Sequence, residues 1–224
     1  MGLSRTAPPR RRRDAEPLSR ERILDAAFEI AEADGLAALS TRRLGERLGC
    51  EAMSIYHHFP GKHHLLDAMV DRVIAAIEWP PSGLEPIEAL RRLAHAHRAM
   101  AHRWPSMFAL VATHRLNTPT GVAFIERALG LFQAAVPDAE RAARHFRTFG
   151  YYLVGAGIDE TSGYAKGPSA AEPVSDDYIA AHCPRLAAAS KVFARSQWDA
   201  TFELGLEALL AAVRRDAGPP KADS

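Results

Sequence analysis

Residues 40–62 read Ser40-Thr-Arg-Arg-Leu-Gly-Glu-Arg-Leu-Gly-Cys-Glu-Ala-Met-Ser-Ile-Tyr-His-His-Phe-Pro-Gly-Lys62, which predicts two short helices around a sharp turn. Ser40 or Thr41 can cap the first helix. Gly49 ends it, because glycine adopts the left-handed backbone of such a turn at little cost. The second helix is predicted over about Glu51 to His58. This pattern is typical of a helix-turn-helix, a motif that enters DNA.

The second of these helices carries a distinctive set of outward-facing side chains. With about 100° between successive residues, Ile55 points inward. Met53, Tyr56 and His57 then lie on the opposite half of the helix. An exposed methionine, tyrosine and imidazole together on so short a helix indicate a binding partner.

Several spaced motifs follow one another in a fixed order along the chain. They are Thr41-Arg-Arg-Leu44, Leu48-Gly49, Ser54-Ile-Tyr-His-His-Phe59, Lys62, Leu65-Leu-Asp-Ala68 and, further on, Asn117-Thr-Pro-Thr120, Tyr152-Leu-Val-Gly155 and Phe202-Glu-Leu-Gly-Leu-Glu-Ala-Leu-Leu210. From Ile23 to about Ala68 this order resembles the DNA-binding end of tetracycline-repressor-type (TetR family) regulators. The rest of the chain is similar to the family's ligand domain, more loosely.

The resemblance implies a ligand-responsive regulator of transcription, which is expected to act as a repressor. A homodimer would bind a palindromic double-stranded DNA operator and a small-molecule effector would release it. Ala52 and Met53 stand where some members have polar residues, so they permit only apolar contact with thymine methyl groups, and the operator sequence stays open. The implied base-edge contacts come from Arg42, Met53, Tyr56 and His57, and the implied phosphate contacts from Thr41, Ser54, His58 and Lys62.

Charge alone does not predict DNA binding. The 224 residues are 47% hydrophobic, enough for a real core, and carry a formal net charge of +1. Residues 1–62 hold 11 basic and 9 acidic residues, and residues 63–224 hold 17 and 18. The run Arg10–Arg13 has two open interpretations, an arm in an adjacent minor groove or a solubilising tail.

Cysteine usage and hydropathy favour a cytoplasmic location. Cys50 and Cys183 are far apart and form no metal-binding pair, which fits a reducing compartment. No apolar stretch follows the N-terminal arginines, so no secretory signal is expected. No run approaches the roughly 18 apolar residues of a membrane helix.

The chain shows helical periodicity throughout, so the predicted fold class is all-α. Four parts are predicted: a disordered basic arm at 1–17, a three-helix helix-turn-helix domain at 18–64, a helical ligand-binding and dimerisation domain at 65–216 and a tail at 217–224. A loop over 162–175 is interpreted as a lid, a dimer clasp or slack. The predicted helices run from Ser19 as N-cap to Asp34, then over about 65–77, 87–103, 107–114, 122–132, 138–160, 177–195 and 197–215.

Glycines at 150, 155 and 157 interrupt an otherwise strong helix, and each costs about 1 kcal/mol in helix propensity. Close approach of another helix would offset that cost, since the family's dimer interface is a four-helix bundle made by this helix and the last one. The alternative is a helix that bends or ends near Gly155. An apolar stripe from Trp198 to Val213 is broad enough for both core and interface.

The second domain is predicted to bind a mostly hydrophobic effector between its helices, because apolar residues dominate its segments. The predicted ligand-binding residues are His97, Met100, His114, Asn117 and Phe149. His114 is placed like a metal-contacting histidine of the tetracycline repressor, with Asp159 as an acidic partner, but its surroundings differ, so no metal or cofactor is expected.

No phosphate-binding glycine loop, nucleophile elbow or zinc-protease motif occurs in the sequence, so an enzyme is not expected. The alternative is a small-molecule-binding helical protein or enzyme without a DNA role. Salt-dependent retention on heparin would distinguish the two.

Overall fold

The computed structural model describes residues 17–161 and 170–217, and every regular element within these ranges is helical. The all-α prediction is confirmed. No helix in the described ranges is long and apolar enough to cross a membrane. The helices are α1 (Arg20–Asp34), α2 (Thr41–Leu48), α3 (Ala52–Tyr56), α4 (Lys62–Ala75), α5 (Pro86–Arg103), α6 (Pro105–Thr113), α7 (Pro119–Ala135), α8 (Ala139–Thr161), α9 (Asp176–His182), α10 (Pro184–Ala189) and α11 (Trp198–Asp216).

Short-range signals fix the ends of the first two helices. The Ser19 hydroxyl accepts a hydrogen bond from a backbone N–H of the first turn of α1, at 3.2 Å. Ser40, rather than Thr41, caps α2 in the same way and at the same distance. Gly49 then ends α2 with a φ of +68°, in the left-handed region where glycine is favoured.

α2 and α3 approach each other closely at Gly45. A Cβ atom there would stand 2.8 Å from the carbonyl oxygen of Cys50, so no larger residue fits without a shift of the backbone. α3 is shorter at both ends than predicted. It closes early because the backbone N–H groups of His58 and Phe59 both donate to the carbonyl of Ile55, at 3.0 and 2.9 Å.

One apolar core extends from the helix-turn-helix into the second half of the chain along α4. It includes Ile23 of α1, Ile55 of α3, Met69 of α4 and Phe108 of α6, all fully buried. α4 therefore packs on both parts of the molecule. The predicted boundary between residues 64 and 65 falls within its first turn.

A second core lies among α5, α7, α8 and α11. Leu90, Phe132, Phe149, Phe202 and Leu206 form its centre. The predicted apolar stripe of the last helix is thus largely a core stripe, because Phe202, Leu206 and Val213 face inward. This arrangement holds α5 and α8 side by side.

α8 continues through its glycines to Thr161, so it does not end near Gly155. Gly157 allows close packing within the chain, since a Cβ there would stand 2.4 Å from the ring of Phe108. Nothing lies within 4 Å of a Cβ placed at Gly150 or Gly155. Only one of the three glycines is therefore explained by packing inside a single chain.

The single helix predicted over 177–195 is wrong. The segment forms α9, α10 and two short 3-10 turns (Ser190–Phe193 and Arg195–Gln197). Pro184 causes the break: it has no N–H to donate and disfavours helical backbone at Cys183, which adopts φ −129° and ψ 61°. Most of the predicted loop, residues 162–169, lies outside the described residues, as do the predicted N-terminal arm to residue 16 and the tail from residue 218.

Candidate DNA-binding face and sensor cavity

The outward face of α3 is open to solvent. Met53 is 65% exposed and Tyr56 40% exposed, and His57 at the end of the helix is exposed as well. Ile55 between them is buried, as predicted from helical phase. The structure therefore presents a methionine, a tyrosine and an imidazole on one accessible surface.

The arginines of α2 divide into two groups. Arg43 binds Asp34 at 2.5 Å and Arg47 pairs with Glu29, so both hold α2 against α1. Arg42 has a side chain that is 89% exposed, and its Nε atom lies 3.6 Å from the carboxylate of Glu46, one turn further along the same helix. Arg42 is thus the arginine of α2 that is available to a partner.

The remaining predicted DNA contacts surround α3. Thr41, Tyr56 and Lys62 line one shallow depression, and Arg42 and Ala52 line another. The Lys62 ammonium donates one hydrogen bond to the carbonyl of Leu39, at 2.9 Å, and retains two donors. The predicted phosphate contacts Ser54 and His58 are half-buried on the same short segment.

A cavity of about 600 Å³ lies outside the helix-turn-helix, among α4, α5, α6, α7 and α8. Its walls are mostly apolar and aromatic. Three of the predicted ligand-binding residues, His97, His114 and Phe149, line it. The remaining lining residues were not among the five predicted ones. They are Ile74, Leu90, Leu93, Ala94, Phe108, Val111, Ala112, Leu116, Phe124, Ala128, Phe132, Phe146, Arg147, Gly150, Tyr151, Leu153, Val154 and Gly155.

The other two predicted ligand residues do not line the cavity. Met100 lies three residues after His97, which turns it about 60° away from the cavity face, and it is buried in the core shared with α1 and α4. Asn117 is exposed in the turn between α6 and α7. The structure therefore does not support a ligand contact for either residue.

His97 is the most unusual residue of the cavity. Its Nδ1 atom is buried and has no hydrogen-bond partner, and its ring packs edge-on against Phe108 with 5.6 Å between ring centres. The ring is half-buried by surface area because it borders the cavity. Burial lowers the pKa of the imidazole from 6.5 to about 4, so the ring is neutral at pH 7.

α4 connects the cavity to the DNA-binding face. Ile74 lines the cavity, and Lys62 begins the same helix at the other end, about 18 Å away at 1.5 Å per residue. His114 Nε2 lies 2.7 Å from the Asp67 carboxylate of α4. The Thr118 hydroxyl donates to Asp71 one turn further along α4. The cavity wall and the turn after α6 are thus tied to α4 by polar contacts.

His114 has one carboxylate neighbour rather than a ligand set. Within residues 17–161 and 170–217, no group of three or more His, Cys, Asp or Glu side chains could hold a metal ion. Asp159 is exposed on α8. The geometry around His114 is that of a hydrogen-bonded pair.

A buried ion pair joins α5, α8 and α11 beyond the cavity. Arg98 donates two hydrogen bonds to the Glu160 carboxylate, at 2.8 and 3.0 Å, and one to Asp199 at 2.9 Å. His102 Nε2 lies 2.6 Å from the same Glu160 carboxylate. Since Glu160 is almost completely buried, these partners compensate a charge that would otherwise be costly.

An exposed helix-turn-helix linked by one helix to an apolar cavity defines a DNA-binding regulator with a small-molecule sensor. The tetR family of bacterial regulatory proteins matches residues 23–69, and the tetracyclin repressor-like C-terminal domain matches residues 82–216. The chain belongs to the TetR family. It is a ligand-responsive transcriptional regulator and not an enzyme.

Characterised proteins agree with this assignment. The chain is 33% identical over 144 residues to the HTH-type transcriptional repressor DrrR1 of Streptomyces coeruleorubidus, a match that covers 62% of this chain and 52% of that protein. It is 25% identical over 201 residues to the class C tetracycline repressor protein of Escherichia coli, covering 88% and 91%.

Among solved structures, the fold is similar to that of the TetR family protein ActR from Streptomyces coelicolor in complex with actinorhodin. The TM-score is 0.74 at 27% identity, covering 91% of this chain and 99% of ActR. A possible TetR family regulator from the same organism superposes with a TM-score of 0.73 at 26% identity, covering 88% and 99%.

Proposed function

We propose that the protein is a cytoplasmic repressor that binds a palindromic operator as a homodimer and leaves it when a small hydrophobic effector occupies the cavity. Residues 18–64 would form the DNA-binding domain and residues 65–216 the sensor and dimerisation domain. The observation that carries the proposal is the apolar cavity. Its wall includes His97, whose Nδ1 atom has no hydrogen-bond partner, and Ile74 of the helix that begins at the DNA-binding face. The actinorhodin complex of ActR supports an effector in such a fold.

Operator recognition would rest on two kinds of contact. The exposed side chains of Arg42, Met53, Tyr56 and His57 are suited to base edges. Thr41, Ser54, His58 and Lys62 lie around them and are suited to phosphates, with Ala52 adding apolar contact. α3 itself contains no acidic residue, and the two acidic side chains beside it, Glu46 and Glu51, line the depression that also holds Arg42 and Ala52.

Dimerisation through α8 and α11 is supported by apolar side chains that one chain leaves uncovered. Leu204 on α11 is 75% exposed, and Leu209 on the same helix is only partly buried. Gly155 is also exposed on α8, and nothing of its own chain lies within 4 Å of a Cβ placed there. A second copy of α8 can approach this position closely, which would explain the glycine.

Release from DNA follows from the geometry of α4. Half-sites of a palindrome lie about 34 Å apart, so both recognition helices must keep that spacing. A tilt of α4 by about 6° about Ile74 moves Lys62 by about 2 Å, over a helix length of about 18 Å. An effector that binds the tilted form better lowers operator affinity by its differential affinity.

Selection of DNA sequences by the full-length protein tests the proposal. We expect the selected sequences to contain an inverted repeat, and sedimentation to show two chains per site. Apolar aromatic molecules are then screened for release of the labelled operator. Selected sequences without an inverted repeat would contradict binding of the operator by a dimer. Ala112→Phe places a larger side chain in the cavity and serves as the control. If the screened molecules release this variant from DNA as readily as wild type, the cavity is not the effector site.

A further inference from the structure

The charge of the cavity wall restricts the chemistry of its ligand. Among the described residues that line the cavity, Arg147 is the only one with a fixed charge, and none is acidic. A cationic ligand would lose its water without gaining a counter-charge, which is strongly unfavourable. The wall therefore fits a neutral or anionic molecule.

The His97 imidazole can exchange a hydrogen bond with a ligand in the cavity. Its Nδ1 atom is fully buried and has no partner, and no hydrogen bond of its Nε2 atom is found among the described residues, so Nε2 is the ring nitrogen that a ligand can reach. A neutral imidazole has one donor and one acceptor nitrogen. A hydroxyl group suits either tautomer, because it can both donate and accept.

The Arg147 side chain is placed to bind an anion at the solvent side of the cavity. Arg147 is exposed on α8, and its Nε donates to the Tyr151 hydroxyl at 2.6 Å. Within the described residues, no carboxylate lies within the 4 Å of an ion pair with Arg147. Four of the five guanidinium donors are therefore available, in a geometry that matches a carboxylate or sulfonate.

Aromatic rings form much of the remaining cavity wall. Phe132 packs edge-on against Phe146 and Phe149, with ring centres 5.9 and 5.0 Å apart. Phe108 and Phe124 complete the aromatic wall from α6 and α7. Such a lining favours an aromatic body, since rings pair well in edge-on and offset arrangements.

We propose that the effector is an aromatic hydroxy acid, with its hydroxyl group bound by His97 and its acidic group bound by Arg147. This inference rests on the proposed function, because it takes the cavity as the effector site. It adds the chemical class of the effector and assigns a separate protein contact to each of the effector's two polar groups.

Two pairs of probes test the two contacts on the full-length protein. The first pair is 8-anilino-1-naphthalenesulfonate and N-phenyl-1-naphthylamine, which share an aromatic body and differ by the sulfonate. Arg147→Gln should weaken the sulfonate probe about fivefold, the change that corresponds to one exposed charged contact of about 1 kcal/mol, and leave the amine within about twofold. Arg147→Lys keeps the charge and should retain most of the affinity for the sulfonate.

The second pair is 1-naphthol and 1-methylnaphthalene, which have nearly the same shape and are measured by displacement of N-phenyl-1-naphthylamine. Wild-type protein should prefer the naphthol. His97→Leu should remove that preference, lowering affinity for the naphthol about tenfold and raising it for the methyl compound. The expected result is thus a reversal of order rather than a general loss.

Ala112→Phe, which fills the cavity from α6, separates failure of this inference from failure of the proposed function. If the probes compete with one another and Ala112→Phe excludes them, the cavity is a binding site. In that case, the effector class alone is overturned if Arg147→Gln changes the affinity for both probes of the first pair equally and His97→Leu changes the affinity for both probes of the second pair equally. If the probes do not bind, or bind equally well to Ala112→Phe, both the effector class and the cavity as effector site are overturned.

Discussion

Replacing His97 by leucine should change how the stability of the protein depends on pH. Burial holds the pKa of this imidazole at about 4, against 6.5 for an exposed histidine. Between these values the unfolded chain binds a proton that the folded chain does not. The folded state is therefore destabilised as the pH falls from about 6.5 to about 4, and the full effect of this group is reached below pH 4.

The magnitude follows from the shift. A change of about 2.5 pKa units at about 1.36 kcal/mol per unit corresponds to about 3 kcal/mol of unfolding free energy. Between about pH 6.5 and about pH 4, wild-type protein should lose this unfolding free energy in addition to the loss that protonation of its carboxylates causes. His97→Leu should show only the loss from the carboxylates. At pH 7.5 this variant should be more stable than wild type by about 1 to 3 kcal/mol, because a buried polar atom without a partner has been removed.

Urea unfolding at fixed protein concentration, from pH 7.5 to pH 4, measures both effects. The quantity of interest is the difference between wild type and His97→Leu at each pH. His63→Leu, at an exposed histidine of α4, serves as the matched control. The same pH dependence for wild type and His97→Leu would refute the reasoning, since it would mean that the imidazole is protonated in the folded protein as easily as in the unfolded chain.

Three further predictions concern the DNA face, the dimer and the buried ion pair. Lys62→Ala should weaken binding to operator and random DNA alike and lower the slope of log affinity against log salt concentration by about one unit, whereas Tyr56→Ala should reduce mainly the preference for the operator. Anisotropy titrations at several salt concentrations distinguish the two effects. Equal losses on operator and random DNA for both variants would contradict the assignment of Tyr56 to bases and Lys62 to phosphate. Leu204→Glu should convert a dimer to monomers in sedimentation, and an unchanged mass would place the interface elsewhere. Glu160→Gln should cost about 3 kcal/mol in urea unfolding, because it leaves the largely buried Arg98 guanidinium with only the exposed Asp199 carboxylate as a counter-charge. The exposed control Glu140→Gln should change stability by less than about 0.5 kcal/mol, and a similar effect for both would contradict the role of burial.

The helix-turn-helix was predictable because its signals are local. Ser40 and Gly49 act on backbone atoms within a few residues, so their effect can be read without knowledge of the rest of the fold. Helical phase also predicted which side chains of α3 face outward. The break at Pro184 has an equally local cause, because a proline without an N–H disfavours helical backbone at the residue before it, and this effect ends α9 at His182.

The cavity was less predictable because its wall is assembled from five helices. Phe108 and Phe124 are far apart in sequence and share the cavity only after α6 and α7 have packed. Met100 was misplaced for the same reason: its apolar character fits a core or a ligand wall, and only tertiary packing distinguishes them. Helical phase on α8 offered one usable signal, since Phe146, Gly150 and Leu153 recur at spacings of four and three residues.

The distance along α4 between Ile74 and Lys62 has a consequence for divergence within this family. The residues proposed to bind the effector and those proposed to bind the operator are different. After gene duplication, one copy can therefore acquire a new effector and keep its operator, or acquire a new operator and keep its effector. The contacts of Asp67 and Asp71 with the turn after α6 bind α4 to the sensor half. Hybrid regulators made by recombination should therefore be joined before α4, at Pro60-Gly61, so that each sensor keeps the helix through which it acts.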